Sequence, residues 1–402
     1  MPGQKNYKKT LIACYLGFVT QAIAANYAPL LFLTFKSAYG IGLETIALIP
    51  AIFYVTQLLV DYAATRYVDR IGYRVCVVAS QLLAAVGLIL MAILPDLLPM
   101  PFIGILIAVS LYAIGSGLVE VLVSPIVEAC PFANKAGMMS LLHSFYCWGA
   151  VAVILGSTFF FSAFGIENWR ALTLIWAALP LYNAVNFMTC PIERLVEDGK
   201  SLSANELMRK PLFWLLIMLM VCSGAAEASM AQWASAFTES ALGVSKAVGD
   251  LAGPCLFAVC MGGARVLYGS ISQKVNLTSA MLVSGVLCVG CYLTASLASS
   301  PLVGLLGCAF CGASVGVMWP GTLSISSQKC PTGGTAMFAF LALAGDLGAA
   351  VSPAVVGGVA QWVGGNLKVG LLAASVFPLA LILVLFLLRV KFSGKRQSVA
   401  ET

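Results

Sequence analysis

Charged side chains are scarce in this sequence of 402 residues. Asp, Glu, Lys and Arg make up 9% of it and there is one histidine, whereas 60% of the residues are hydrophobic and the mean hydropathy is +0.97. Such a chain does not make a soluble globular domain, because too few polar side chains remain to cover its surface. The net charge of +6 gives no support for a nucleic-acid partner.

Sequence features of several enzyme and pump classes are also missing. We find no G-x-x-x-x-G-K-[ST] phosphate loop, which argues against an ATP-driven pump, and no Ser/His/Asp set, which argues against a membrane enzyme. The thirteen cysteines lie mostly inside apolar runs, where cysteine behaves as a small apolar residue. We therefore expect neither an enzyme nor a bound metal or cofactor. A receptor that only signals would leave the matched halves described below unexplained.

Apolar runs long enough to cross a bilayer fill almost the whole chain. A spanning helix needs about 20 mostly apolar residues, which predicts an all-α polytopic membrane protein with twelve transmembrane helices. The twelve runs are 9–35, 44–65, 72–94, 102–127, 137–163, 170–190, 211–237, 247–270, 277–298, 302–326, 334–361 and 367–390.

The distribution of lysine and arginine predicts the orientation in the membrane. Most of them lie in the termini and the even-numbered loops, which are therefore expected to be cytoplasmic. The exceptions are Lys36, Arg170, Lys246 and Lys368 on the other face, and Arg265 within a span. We expect a multi-pass protein of the cell membrane with both termini in the cytoplasm.

One long polar connection divides the chain. It covers residues 191–210 and is interpreted as a cytoplasmic linker between an N-terminal bundle, 1–190, and a C-terminal bundle, 211–402, which ends in a short basic tail. Paired motifs support this division, because Cys130-Pro131 is repeated as Cys330-Pro331, and Gly149-Ala150 as Gly348-Ala349. Such duplication is typical of transporters built from two parallel halves.

A charged stretch from Asp61 to Arg74 interrupts the second and third apolar runs, and a similar stretch begins at Arg265. Within it, Asp69, Arg70, Gly72 and Arg74 follow the order of G-x-x-x-D-R-x-G-R-R, the signature of the major facilitator superfamily. Thr65 replaces the first glycine and Tyr73 one arginine. The sequence resembles this superfamily, which implies two pseudo-symmetric six-helix bundles, alternating access and a monomer.

Two spans resemble one branch of that superfamily, the fucose–glucose proton symporters. Glu227 followed by Trp233 resembles the seventh span of the branch, and the run from Leu141 to Ala150 its fifth. The branch implies a proton-coupling glutamate in the fourth span, where Glu120 lies. The first-span carboxylate of some members has no counterpart here.

Placing an ionisable side chain in the hydrocarbon region costs free energy, so such residues are usually functional. A carboxyl buried without a permanent cation can take up and release a proton near neutral pH, so Glu120 is the candidate proton carrier; a permanent pair with Arg265 is the alternative. Asp346 is either a second titrating site or the partner of an amide. His143 is a proton site or a hydrogen-bonded packing residue.

A carboxylate, amides and aromatic rings suit a hydroxylated solute. The candidate substrate contacts are Asn26, Tyr27, Glu227, Gln232, Trp233 and Trp319. For Tyr27 and Trp319, ordinary helix packing is the alternative.

The superfamily architecture implies gates at the cytoplasmic ends of the spans. Arg265 would hold the cytoplasmic end of span five, and Asp61 that of span eleven. For both residues, direct contact with the ligand is the alternative. Glu128 would pair with Arg70 or Arg74. The full gating set is Asp61, Asp69, Arg70, Arg74, Glu128 and Arg265.

Together these features predict a secondary active transporter that moves a small polar solute, with a sugar as the candidate, by proton-coupled alternating access. Its partners would be the solute, the proton and the lipid bilayer. The alternative is a proton-driven exporter of amphipathic compounds, for which the many Met and Phe residues would provide an apolar cavity.

Overall fold

A computed structural model describes residues 6–46, 48–196, 200–242 and 246–392. Part of the predicted linker, 197–199, and the basic tail from 393 onward lie outside the described residues. The described elements are all helical, and in chain order they are α1 Tyr7–Leu30, α2 Phe32–Tyr39, α3 Leu43–Ile46, α4 Leu48–Ile71, α5 Tyr73–Leu97, α6 Pro101–Ala129, α7 Lys135–Phe164, a 3-10 turn Ile166–Asn168, α8 Trp169–Thr189, α9 Ala204–Met208, α10 Pro211–Leu242, α11 Lys246–Ile271, α12 Leu277–Leu297, α13 Pro301–Val315, α14 Met318–Lys329, α15 Gly334–Trp362, α16 Leu367–Ala374 and α17 Val376–Phe392.

Twelve segments of the described chain are long and apolar enough to cross a membrane, which confirms the predicted number. Most are single helices, whereas the tenth is formed by α13 and α14 and the twelfth by α16 and α17. Their hydropathy and length make the chain a multi-pass membrane protein.

The second span is longer than predicted. We expected it to end near residue 65, but α4 continues to Ile71, so Asp69 and Arg70 lie in its last turn. Two features favour this extension: the face bearing Thr65 and Val68 is buried, and Arg70 interacts favourably with the negative end of the helix dipole. The chain breaks at Gly72, whose φ of +98° suits glycine.

The described chain forms two compact units. Unit 1 contains the described parts of Met1–Ala133, Leu142–Ser201 and Gly334–Phe340, and unit 2 those of Asn134–Leu141, Leu202–Gly333 and Leu341–Thr402. The first two turns of α7 therefore belong to unit 2, and the first two turns of α15 to unit 1. The boundaries expected from the sequence, 1–190, 191–210 and 211–402, remain a proposal.

The two units repeat one packing pattern. In unit 1, α6 packs against α1, α4 and α5, and α8 packs against α1 and α5. In unit 2, α13 packs against α10, α11 and α12, and α17 packs against α10 and α12. Each pair in one unit corresponds to the pair six spans later in the other, which is the duplicated, pseudo-symmetric arrangement that the sequence predicts.

Small residues allow the same close approach in both units. A side chain on Gly149 of α7 would meet Ala22 and Val19 of α1, and a side chain on Gly348 of α15 would meet Val221 and Ala225 of α10. These are the paired glycines of the sequence repeat, and glycine at such a crossing lets two membrane helices approach to backbone contact.

Gly348→Ala tests this contact. The added methyl group would collide with the carbonyl oxygen of Val221, which is backbone and cannot rotate away. We expect a loss of about 1–3 kcal/mol in unfolding free energy, measured on the purified protein in detergent. Gly263→Ala is the matched control, because nothing lies within 4 Å of the added methyl group; equal stability of the two variants would contradict the packing described.

Candidate functional site

A carboxylate held by two amides lies in unit 1. Oε2 of Glu120 in α6 accepts a hydrogen bond of 2.7 Å from Nε2 of Gln21 in α1 and a second one from Nε2 of Gln57 in α4. Both glutamines are almost fully buried, 6% and 5% exposed. Three helices therefore converge on one carboxylate oxygen.

Local packing sets this geometry. Gly117, one turn before Glu120, has no side chain to push α4 away, and a Cβ there would lie 3.3 Å from Cγ of Gln57. The other end of the Gln21 amide, Oε1, is buried and has no hydrogen-bond partner among the described residues. Burying a hydrogen-bond acceptor without a donor costs free energy. This oxygen is therefore suited to accept a hydrogen bond from a bound group.

A second carboxylate lies in unit 2, beside a cation. Nη2 of Arg265 in α11 is 3.2 Å from Oε2 of Glu227 in α10, and the two side chains are 4% and 22% exposed. Arg265 also donates from Nε to the carbonyl oxygen of Gly316, at 3.0 Å. The guanidinium thus joins α10 and α11 to the tenth span.

Pro320 explains why that carbonyl needs a donor. In an unbroken helix the carbonyl of Gly316 would accept from the N–H of residue 320, but proline has no N–H. The span breaks at this point, since α13 ends at Val315 and α14 begins at Met318. Arg265 supplies the missing donor, and the same planar group reaches Glu227.

The predicted aromatic contacts of unit 2 lie against glycines. Trp319 in α14 is half-buried with its ring over Gly345 of α15, next in the chain to the half-buried Asp346. Trp233 in α10 donates from Nε1 to the carbonyl of Pro353 at 3.0 Å. Its neighbour Gln232 is exposed.

Tyr27 is packed between helices, which is the alternative given for it above. It is 1% exposed, and its hydroxyl is engaged by the carbonyl of Trp169 and the hydroxyl of Thr173, each at 2.9 Å. It therefore packs α1 on α8 within the core of unit 1 and does not line a cavity. Asn26, the next residue, is half-buried and donates to the carbonyl of Ala22 in its own helix.

His143 is packed between helices. Its Nε2 lies 3.2 Å from the hydroxyl oxygen of Ser124 in α6, and its ring is 4.7 Å from that of Phe18 in α1. It is 6% exposed. This placement fits both interpretations given above, a proton site and a hydrogen-bonded packing residue.

The candidate gate residues of α4 and α5 contact the start of α15 within unit 1. The hydroxyl of Thr335 donates to Oδ1 of Asp69 at 2.7 Å and is also hydrogen-bonded to the hydroxyl of Tyr73. Asp61 is fully buried in α4, Glu128 is half-buried near the end of α6, and Arg70 is exposed.

Arg74 lies against the end of α8. Its guanidinium donates to the carbonyl oxygens of Phe187, Met188 and Cys190, at 2.8–2.9 Å. These carbonyls belong to the end of α8, where the helix leaves them without N–H partners. Arg74 therefore caps that helix, and the pairing of Glu128 with Arg70 or Arg74 stays a prediction.

Unit 2 has a comparable contact at the start of α7. The hydroxyl of Ser140 donates to the backbone carbonyl of Arg265 at 2.8 Å, and Asn134 receives a hydrogen bond of 3.0 Å from Ser272. Span five and span eight therefore meet at the backbone of Arg265, and the gating role of its side chain stays a prediction. The guanidinium points to Glu227.

Several residues of these sites were not predicted. Gln57 is a polar residue in a long apolar run, and this alone could have identified it. The role of Gly316 was readable from Pro320 four residues later. Ser140, Asn134 and Thr335 carry no comparable signal, because short polar residues are common at helix ends. The described residues contain no group of three or more His, Cys, Asp or Glu side chains arranged to hold a metal.

Two repeated six-span units, each with a half-buried carboxylate inside a span, are typical of a polytopic membrane carrier. A sequence profile of the Major Facilitator Superfamily matches residues 13–353, and the chain belongs to this family of transporters. No curated protein matches the chain by sequence.

Solved structures of the same fold support this assignment. The E. coli fucose:proton symporter FucP, in the outward conformation, superposes with a TM-score of 0.79 at 16% identity, covering 94% of this chain and 98% of that one. The proton:xylose symporter XylE gives 0.80 at 12% identity, covering 96% and 95%. The human organic anion transporter MFSD10 gives 0.74 at 17% identity, covering 95% and 100%.

A double-mutant cycle tests the pair in unit 2. Arg265→Gln leaves Glu227 and the Gly316 carbonyl without their cationic donor, and we expect a loss of about 3 kcal/mol or more in unfolding free energy. Glu227→Gln should cost less, because the amide oxygen can still accept from Arg265. The double variant should be more stable than the sum of the single losses predicts, by about 0.5–3 kcal/mol. Strict additivity would show that the two groups do not interact.

Proposed function

We propose that this protein is a secondary active transporter that moves a small polar solute, with a sugar as the candidate, together with protons. Transport would proceed by alternating access. The observation that carries this proposal is the Glu120 carboxylate held by the amides of Gln21 and Gln57. The proposal is also supported by the fold that this chain shares with a fucose:proton symporter and a proton:xylose symporter.

Amide partners suit a carboxyl that changes its protonation state. The NH2 group of a glutamine donates to a carboxylate, and its carbonyl oxygen accepts from a protonated carboxyl group. The amide remains neutral throughout, so neither state leaves an uncompensated charge on the partner. The unpaired Oε1 of Gln21 is an acceptor already buried next to Glu120.

Glu227 is suited to a different task. It lies beside the guanidinium of Arg265, and we assign it to solute binding, with Gln232, Trp233 and Trp319 as further contacts in unit 2. Asn26 is the candidate contact in unit 1. A carboxylate accepts from sugar hydroxyls, and an indole ring covers the apolar face of the sugar. Asp346, which follows the glycine beneath Trp319, and His143 remain candidates for a second proton site.

The remaining assignments follow from the same function. We place the protein in the cell membrane with both termini in the cytoplasm, because of the distribution of its lysines and arginines. A monomer is what membership of the superfamily implies. The gating set would control access at the cytoplasmic ends of the spans. Its members are Asp61, Asp69, Arg70, Arg74, Glu128 and Arg265.

Glu120→Gln tests the proton site. The amide cannot titrate, so uptake against a gradient should fall to background, whereas exchange of solute across proteoliposomes without a proton gradient should continue. The control is Glu206→Gln in α9, whose carboxylate caps the helix with Ser203. The hydroxyl and the backbone N–H of Ser203 lower the pKa of Glu206, and glutamine also completes such a cap. Loss of exchange as well, in a folded Glu120 variant, would remove the proton role.

The solute class is tested separately. Purified protein is heated with single sugars, organic acids or nucleosides, and the variant Trp233→Leu is measured beside it. A polar solute that raises the unfolding temperature of the wild type, but not of the variant, supports uptake through the proposed site. Extrusion of an amphipathic dye from cells that express the chain, with no response to polar solutes, would favour the alternative of an exporter.

A further inference from the structure

A cavity of about 240 Å³ lies in unit 2, between the start of α12, the end of α14 and the last turns of α17. Three aliphatic side chains form part of its wall. Its polar lining comes from Asn276, Thr278 and Ser279 at the start of α12, from Lys329 at the end of α14 and from Arg389 in α17. None of these residues belongs to the transport site proposed above.

The corresponding place in unit 1 is occupied by the chain itself. Gly72 precedes α5 as Asn276 precedes α12, so Arg74 and Thr278 are equivalent positions, each the second residue of its helix. Arg74 extends from α5 to the last carbonyls of α8. Thr278 is too short to reach α17 in the same way. The cavity lies where the side chain of an arginine at position 278 would extend.

The end of α17 has no need for such an arginine. This helix continues to Phe392, beyond the level of the cavity, so the carbonyls of Leu385 and Leu388 can accept from N–H groups one turn later in the same helix. In unit 1, by contrast, α8 ends at Thr189 and its carbonyls are capped by Arg74. The cavity in unit 2 is therefore not an unsatisfied cap.

The charge around the cavity indicates what it can hold. Lys329 and Arg389 provide two positive charges, and among the residues that the structure describes no acidic one lies in the lining of the cavity or in the first turn of α12. Asn276 accepts from the N–H of Ser279, while the N–H groups of the first turn stand at the positive end of the α12 dipole. Two cations and a helix start that converge on one polar cavity match an anion with several acceptor oxygens.

We propose that this cavity binds a phosphate group. Three spans begin or end around it, which places it at the level of the lipid headgroups. The phosphate of an anionic phospholipid can enter from the side with its acyl chains along the aliphatic wall, and a soluble phosphate can enter from the water. Both sources use the same chemistry, and the experiment separates them.

The experiment compares the purified protein with matched charge variants. Wild type and the double variant Lys329→Gln/Arg389→Gln are heated with added phosphatidylglycerol, phosphatidylcholine or millimolar inorganic phosphate, and native mass spectrometry counts retained lipid. Arg66→Gln/Lys274→Gln is the control, since it removes two exposed cations at other span ends. Thr278→Arg is the third variant, because it places a guanidinium where unit 1 has one.

We expect phosphatidylglycerol to raise the unfolding temperature of the wild type and of the control by several degrees, and phosphatidylcholine to have little effect. The double variant and Thr278→Arg should lose this shift and retain less lipid, although Thr278→Arg should be no less stable without lipid. A shift with inorganic phosphate that depends on the same two cations would support the site with a soluble source. Equal responses of all variants, or of both lipids, would overturn the proposal.

Discussion

A charge or a free backbone group inside a bilayer must find its partner within the protein, because the lipid offers none. Arg265 meets this requirement for two groups at once. Its guanidinium donates to the Gly316 carbonyl, which lacks a helical donor because of Pro320, and it lies beside Glu227. Arg265 of the eighth span therefore links the break in the tenth span to the carboxylate in the seventh. Loss of the Arg265 side chain would leave both the Gly316 carbonyl and Glu227 without the donor that it supplies.

The number and the repetition of the spans could be predicted from the sequence, because length and hydropathy determine which segments enter a bilayer. Glu120 and Glu227 could be found for the same reason, as charges in apolar runs. Which neighbour each side chain meets could not be predicted. A helix that is apolar on all sides has no polar face to orient it, so nothing in the sequence distinguished Tyr27, which is packed in the core, from a residue that lines a cavity. The partner of Arg265 depends on tertiary packing in the same way.

The two units share the same helix packing but differ in their polar side chains. Gly149 and Gly348 make equivalent close contacts with the first and the seventh span respectively, and the same helix pairs pack in both units. Within that shared packing, unit 1 holds its carboxylate with amides and unit 2 with a guanidinium. Backbone contact tolerates no added atoms, whereas a polar residue can be exchanged for another of similar size. Under the proposed function, this divergence of the polar residues gives one copy of the bundle its role in coupling and the other its role in solute binding.

The contacts at the starts of α7 and α15 differ in kind from those in the middle of the same helices. Ser140 and Thr335 make single hydrogen bonds, to the Arg265 carbonyl and to Asp69 respectively, and such bonds contribute only about 0.5–1.5 kcal/mol each. At Gly149 and Gly348 the helices instead meet over closely packed backbone, where separation loses many contacts together. Under the proposed function, a cycle that opens and closes the ends of these helices would break the weak polar contacts first. The glycine crossings would persist, and the helices would pivot about them.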